Sequence, residues 1–128
     1  MRVVVVGCGS WGTVFAHLLC ERGHDVTLGC RDAQQAQAIV ETGRNPRYAT
    51  TVDLEGVGAG PLPEVPADPE LIVMAVPSRA FAAVAASLPG SAAPVLSLTK
   101  GLDPATGARL STCVTGRRVA VLSGPNMA

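Results

Sequence analysis

Residues 3–12 read Val-Val-Val-Val-Gly-Cys-Gly-Ser-Trp-Gly, a run of β-branched residues that ends in three glycines at G-x-G-x-x-G spacing. Such runs favour a strand, and an amphipathic pattern begins directly after the glycines. Its apolar residues recur at i, i+3, i+4, i+7 and i+8 and are predicted to form one helix face: Trp11, Val14, Phe15, Leu18 and Leu19. The order of strand, glycine-rich turn and helix predicts the start of an α/β domain.

The three glycines have the spacing that a dinucleotide-binding turn requires. Gly7 permits a tight turn, Gly9 lets the backbone approach a pyrophosphate, and Gly12 lets the helix pack closely on the strand. The helix N-terminus adds N–H groups and the positive end of the helix dipole. The glycine spacing and the helix N-terminus together favour a dinucleotide site. The alternative is a tight turn in some other α/β domain.

The end of the second predicted strand, residues 25–30, bears on the choice of cofactor. An acidic residue there binds the ribose of NAD, whereas an arginine accommodates the 2′-phosphate of NADP. This chain has Arg31 followed by Asp32. Arg31 favours NADP or dual use, while Asp32 leaves NAD open and is equally suited to capping the next helix. Both cofactors remain open on these residues.

The rest of the chain alternates predicted strands and helices over residues 1–128, taken as one dinucleotide-binding domain. Helices are predicted over 33–42, with Ala36, Ile39 and Val40 facing inward, over 78–88, and over 108–114. Further strands are predicted at 51–54, 71–76, 95–98 and 118–122, with the glycine- and proline-rich residues 56–69 as a connector. This order predicts an α/β fold, a Rossmann-type doubly wound, mostly parallel sheet with right-handed crossovers.

Composition limits the class of partner. Ten basic and ten acidic residues give a formal net charge of zero, which argues against nucleic acid or an anionic membrane. No apolar run approaches the roughly 18 residues of a membrane span, and the N-terminus lacks a secretory pattern, so a cytoplasmic protein is expected. Without a C-x-x-C pair, the four cysteines are interpreted as small buried residues, neither disulfides nor metal ligands: Cys8, Cys20, Cys30 and Cys113. His17 and His24 are interpreted as surface residues.

Polar residues follow several predicted strands, where ligands bind in parallel sheets. They are Pro77-Ser78, Thr99-Lys100-Gly101 and Ser123-Gly124-Pro125-Asn126. Lys100 is the only lysine and can offer a cation to a phosphate or carbonyl oxygen, with a solvated loop lysine as the alternative. The Ser123-Gly124-Pro125 stretch has a plain turn as its alternative.

Taken together, the motifs resemble one enzyme family over essentially the whole chain. They are Gly7-Cys8-Gly9-Ser10-Trp11-Gly12, Arg31, Asn45-Pro46-Arg47-Tyr48, Ala75-Val76-Pro77-Ser78, Lys100-Gly101 and Leu122-Ser123-Gly124-Pro125. In this order they are similar to the N-terminal domain of bacterial NAD(P)-dependent glycerol-3-phosphate dehydrogenases. The resemblance implies hydride transfer between a nicotinamide and C2 of sn-glycerol 3-phosphate or dihydroxyacetone phosphate, which supplies the glycerophospholipid precursor.

The resemblance also implies roles for individual residues. Cofactor contacts would come from Gly7, Gly9, Ser10, Trp11, Gly12, Arg31, Tyr48, Pro77, Lys100 and Ala128. Substrate contacts would come from Lys100, Gly124 and Asn126. The family's catalytic lysine belongs to a helical C-terminal domain outside these 128 residues, so no catalytic residue is assigned here. The chain alone is expected to bind dinucleotide weakly without turnover and to have an apolar surface that drives self-association.

Three sequence features depart from the family pattern. Asn126 and Met127 stand where Ser or Thr and then Phe are usual, residues 56–69 are compressed, and Gly29 replaces a bulky residue. They leave two alternatives open. One is a sister dehydrogenase acting on another hydroxy acid or sugar phosphate, and the other is a non-catalytic dinucleotide-binding or partner module.

Overall fold

A computed structural model describes residues 1–66, 68–88 and 90–123. Within these residues, six strands form one entirely parallel sheet: β1 (Arg2–Val6), β2 (Asp25–Cys30), β3 (Gly58–Pro61), β4 (Leu71–Met74), β5 (Val95–Ser97) and β6 (Val119–Val121). The connections carry α1 (Ser10–Glu21), α2 (Ala33–Thr42), α3 (Ser78–Ala86) and two short 3₁₀ helices, Leu62–Glu64 and Leu110–Cys113. The spatial order β3-β2-β1-β4-β5-β6 is that of a Rossmann fold and confirms the predicted class.

The central strands are buried on both faces of the sheet, and successive residues of each strand point to opposite faces. Val3 and Val5 of β1 pack into the core cluster that contains Ala16 of α1. Val4 and Val6 pack into the other cluster, which contains Phe81 of α3. Parallel pairing of β1 with both β2 and β4 puts the end of β1 at the point where the strand order reverses. A ligand crevice is expected at that point.

The third strand lies elsewhere than predicted. Residues 51–54 belong to no strand, and Gly58–Pro61 pairs in register with Thr27–Cys30 of β2. The glycine- and proline-rich stretch therefore supplies an edge strand, where a proline is tolerated because one side needs no hydrogen-bond donor. The 3₁₀ helix that follows places Leu62 Cδ1 2.9 Å from where a Cβ on Gly29 would lie. The small residue in β2 therefore accommodates the compressed segment.

Two predicted helix faces are rotated relative to the sheet. In α1 the buried residues are Gly12, Thr13 and Ala16, whereas Leu18 is 44% exposed. Small residues face the sheet because Gly12 packs directly on the turn at Gly7, which leaves the larger side chains at the flanks. In α2, which has the predicted bounds, Val40 is 60% exposed while the polar Gln35 is buried.

The cysteine interpretation is wrong for one pair. Cys8 and Cys30 form a disulfide, with their Cα atoms 5.3 Å apart. They lie 22 residues apart in sequence, but β1 and β2 pair with Val6 opposite Gly29, which places the next residues of both strands side by side. Cys20 and Cys113 are free and partly buried. Among the described residues, no helix is long and apolar enough to cross a membrane.

Candidate functional site

The glycine-rich turn joins β1 to α1 at the carboxyl edge of the sheet. Gly7 has φ +114°, and a Cβ there would overlap the carbonyl oxygen of Ala75. A Cβ on Gly12 would overlap the carbonyl oxygen of Gly7. Among the residues that the structure describes, a Cβ on Gly9 would meet nothing within 4 Å. Two glycines are therefore required by packing, while the third borders open space where a ligand can approach the backbone.

The start of α1 faces that open space. Gly9 is the N-cap residue and makes no side-chain capping bond, and the first helical hydrogen bond runs from Thr13 N–H to the Gly9 carbonyl at 3.0 Å. The amides of Ser10, Trp11 and Gly12 precede this bond and point out of the helix end. Within the described residues, the buried Nε1 of Trp11 has no hydrogen-bond partner. The turn thus offers the N–H donors that an anionic pyrophosphate needs.

The turns after β4 and β5 lie beside this loop. A Cβ at Gly7 would come within 3.2 Å of Val76 Cγ1, so the glycine loop and the Ala75-Val76-Pro77-Ser78 turn are in contact. Thr99 Oγ1 donates to the Val76 carbonyl at 2.7 Å. The Thr99-Lys100-Gly101 turn is thereby fixed against the start of α3, and Lys100 is exposed. A cleft of about 200 Å³ opens next to it, lined in part by Ser97, Thr99 and Gly101.

Arg31 and Asp32 follow β2, and Arg47 reaches Asp32 from the loop after α2. Arg31 is exposed. Asp32 caps α2 by accepting a hydrogen bond from Gln34 N–H at 2.8 Å, and its carboxylate lies 2.6 Å from Arg47 Nη2. The Gln34 N–H and the Arg47 guanidinium hold the pKa of Asp32 below its ordinary value. Asp32 therefore has the capping role that was one of its two predicted roles.

The fold gathers most of the predicted site residues at one edge. Gly9 borders the open space. Trp11 is partly buried against the core, whereas the other described side chains predicted to touch the cofactor are exposed: Ser10, Arg31, Tyr48, Pro77 and Lys100. Gly124, Asn126 and Ala128 lie outside the described residues. Sequence reasoning missed Asn45 and Gln35 as the buried polar link between the loop and α2. In the sequence, only the Asn45-Pro46-Arg47-Tyr48 motif pointed to this link.

A family model described as NAD-dependent glycerol-3-phosphate dehydrogenase N-terminus matches residues 2–128. This chain belongs to that family. Among its relatives, the glycerol-3-phosphate dehydrogenases [NAD(P)+] of Nocardia farcinica and a Parafrankia species are 40% and 41% identical to it. Each alignment covers 99% of this chain but only 42% and 41% of those proteins. The chain therefore spans about two fifths of the length of these dehydrogenases.

Solved structures agree with the family assignment. The glycerol-3-phosphate dehydrogenase of Coxiella burnetii superposes with a TM-score of 0.81 at 28% identity, over 98% of this chain and 41% of that one. A ketopantoate reductase family protein of Ralstonia eutropha gives 0.72 at 27% identity, over 94% and 40%. The Rossmann architecture of this glycerol-3-phosphate dehydrogenase N-terminus is thus shared with dehydrogenases of other substrates.

Proposed function

We propose that this chain binds NAD or NADP at the carboxyl ends of β1, β2 and β4, as the N-terminal part of a glycerol-3-phosphate dehydrogenase. The observation that carries the proposal is the open space at Gly9, between two glycines that are packed against backbone. A side chain at Gly7 or Gly12 is excluded by the fold itself, whereas packing places no such demand on Gly9. Approach of a phosphate to its N–H explains a glycine there.

In this proposal, different residues along the sheet edge contact different parts of the cofactor and the substrate. The amides at the start of α1 bind and orient the pyrophosphate, and Arg31 with Tyr48 contacts the adenosine half. When bound, the nicotinamide supplies the hydride chemistry that interconverts sn-glycerol 3-phosphate and dihydroxyacetone phosphate, a step toward glycerophospholipids. Lys100, Gly124 and Asn126 contact the substrate, and the exposed Lys100 offers its charge to substrate oxygens. The catalytic lysine belongs to a further helical domain.

The proposed setting is the cytoplasm, with small molecules as partners and neither nucleic acid nor membrane. The balanced charge of ten basic and ten acidic residues supports small molecules over nucleic acid or an anionic membrane as partners. We also propose that the chain by itself associates through apolar side chains exposed near β6, namely Leu102, Val121 and Leu122. Analytical ultracentrifugation over a range of concentrations would show this as a mass above 13.0 kDa.

Titration with NADH and with NADPH, followed by the fluorescence of Trp11, tests dinucleotide binding. Trp11 is the only tryptophan and lies within the glycine-rich turn, so a bound reduced nicotinamide should quench it. Saturable quenching supports the proposal. Failure of both dinucleotides to bind the folded chain, checked by calorimetry, would overturn it.

A chimeric enzyme tests which substrate is used. Residues 1–128 would replace the corresponding part of the Nocardia farcinica dehydrogenase, and NADH oxidation would be measured with dihydroxyacetone phosphate and with ketopantoate. We expect turnover with dihydroxyacetone phosphate by the chimera and none by the 128-residue chain alone. A preference for ketopantoate would favour the sister-dehydrogenase alternative.

A further inference from the structure

One buried side chain connects the glycine-rich turn to the segment that carries Tyr48. Asn45 is fully buried, at 0% exposure, and its amide takes part in five hydrogen bonds. Its partners come from the glycine-rich turn, α1, α2 and its own loop. An uncharged group buried with this many partners fixes the relative positions of the elements it joins.

The amide nitrogen of Asn45 holds the peptide before Gly9 and a side chain of α1. It donates to the Cys8 carbonyl at 2.9 Å and to Thr13 Oγ1 at 2.9 Å. Gln35 Nε2 donates to the same Cys8 carbonyl at 3.0 Å, so that oxygen accepts two hydrogen bonds. In a trans peptide the N–H points opposite to the C=O. Because the Cys8 carbonyl is held in the buried network, the Gly9 N–H is turned away from it.

The amide oxygen of Asn45 fixes the segment on the other side. It accepts hydrogen bonds from Arg47 N–H at 3.0 Å and Tyr48 N–H at 3.3 Å. Tyr48 is 47% exposed, and Arg47 reaches the Asp32 carboxylate at the end of β2. The same amide group therefore holds the Gly9 peptide with its nitrogen and the backbone of Arg47 and Tyr48 with its oxygen.

We propose that Asn45 is a positioning residue for dinucleotide binding, which sets the orientation of the Gly9 N–H and the place of Tyr48 without touching the ligand. This inference rests on the proposed function. Removing the Asn45 side chain should weaken dinucleotide binding even where the chain remains folded. The reason is that a misoriented Gly9 amide cannot donate to a phosphate oxygen.

The test compares NADH dissociation constants of the 128-residue chain and three variants, each at a temperature well below its own unfolding midpoint. Asn45→Ala removes both the amide nitrogen and the amide oxygen. Asn45→Asp keeps an oxygen acceptor but replaces the nitrogen donor that holds the Cys8 carbonyl. Phe81→Leu is the control, because Phe81 is buried on the opposite face of the sheet. We expect both Asn45 variants to raise the dissociation constant about tenfold or more, and Phe81→Leu to change it less than about twofold.

Amide hydrogen exchange distinguishes the loss of the Asn45 amide oxygen from the loss of its amide nitrogen. Asn45→Ala should lose protection at the Arg47 and Tyr48 amides, whereas Asn45→Asp and Phe81→Leu should retain it. If neither Asn45 variant folds, Gln35→Met is measured in their place, because it removes the second donor to the Cys8 carbonyl. This variant should weaken NADH binding about threefold to fivefold.

Three results would count against the inference, and they differ in whether the proposed function is overturned with it. A parent chain that binds NADH, together with folded Asn45 variants that bind it equally well, would overturn the positioning role alone. Unchanged binding by Gln35→Met, should the Asn45 variants not fold, would do the same. A folded parent chain without saturable NADH binding would overturn the proposed function and this inference with it.

Discussion

The guanidinium of Arg47 lies 2.6 Å from the carboxylate of Asp32, at the strand end where a 2′-phosphate or a ribose hydroxyl would bind. This ion pair neutralises one of the two arginines near that position and leaves Arg31 exposed beside it. We therefore predict that the balance between NAD and NADP depends on Asp32 as well as on Arg31.

Asp32→Asn should shift the cofactor preference toward NADPH. Asparagine keeps the capping interaction with α2, but Arg47 is no longer neutralised and the positive potential rises. We expect the ratio of NADPH to NADH affinity to increase on the order of threefold to tenfold at low salt. Parallel fluorescence titrations measure it, with Arg31→Ala as the variant that should move the ratio in the opposite direction. An unchanged ratio in Asp32→Asn would contradict this assignment.

The lowered pKa of Asp32 predicts a loss of stability in acid. Because the pKa of the folded state lies below that of the unfolded chain, the carboxylate stabilises the fold above the unfolded value of about 3.9, and this contribution is lost as the pH falls through the folded pKa. Urea unfolding at several pH values below about 5 should therefore show a shallower decline for Asp32→Asn than for the parent chain. Glu70, whose pKa is also lowered, is retained in both proteins. Parallel declines would mean that Asp32 does not contribute.

Alanine at Gly12 should mainly lower stability, whereas alanine at Gly9 should mainly weaken NADH binding. At Gly12 the new Cβ would overlap the Gly7 carbonyl, so Gly12→Ala should lower the free energy of unfolding by about 1–3 kcal/mol. At Gly9 no described residue lies within 4 Å of the new Cβ, and Gly9→Ala should cost about 1 kcal/mol or less while weakening NADH binding about tenfold. Chemical denaturation and calorimetric titration measure the two effects. NADH binding by Gly9→Ala at the parent affinity would argue against a pyrophosphate at this turn.

Gly29 should not tolerate a branched side chain, although β-branched residues favour strands. A Cβ there would lie 2.9 Å from Leu62 Cδ1 and 3.3 Å from Val65 Cγ1. Gly29→Val should lower the free energy of unfolding by about 1–3 kcal/mol. The double variant Gly29→Val/Leu62→Ala should recover part of this loss in thermal unfolding. Equal losses with and without Leu62→Ala would show that Leu62 is not the obstacle.

The Cys8–Cys30 disulfide predicts the number of accessible thiols. Alkylation of the unfolded, unreduced chain should label only Cys20 and Cys113, and prior reduction should raise the count to all four cysteines. The bond closes a loop of 22 residues, so reduction should lower the free energy of unfolding by about 3 kcal/mol. Mass spectrometry counts the labels. Four labels without reductant would show that the pair is a dithiol in solution.

Local patterns predicted much of this fold. The β-branched run and the glycine spacing predict β1, the turn and α1, and a capping aspartate with a terminal glycine brackets α2 at its observed bounds. These signals are local, since each depends on residues a few positions apart that share a strand, a helix turn or a cap. Alternation of such elements with short joins was enough to predict a parallel sheet.

The weaker predictions depended on which elements become neighbours. A glycine- and proline-rich stretch forms β3 because β2 offers it an open edge, and no local propensity favours a strand there. The same holds for the rotated faces of α1 and α2, which are set by close contact at Gly12 and by the polar partners of Gln35.

By itself, the sequence determined the fold class, the glycine-rich turn and the family, because these follow from short-range periodicity and motif order. Only the tertiary structure decided the Cys8–Cys30 bond, the burial of Asn45 and the pairing of Arg47 with Asp32. Each of these joins residues from different elements. Their distance is set by the register of β1 against β2 and by the path of the loop after α2, which sequence spacing does not encode.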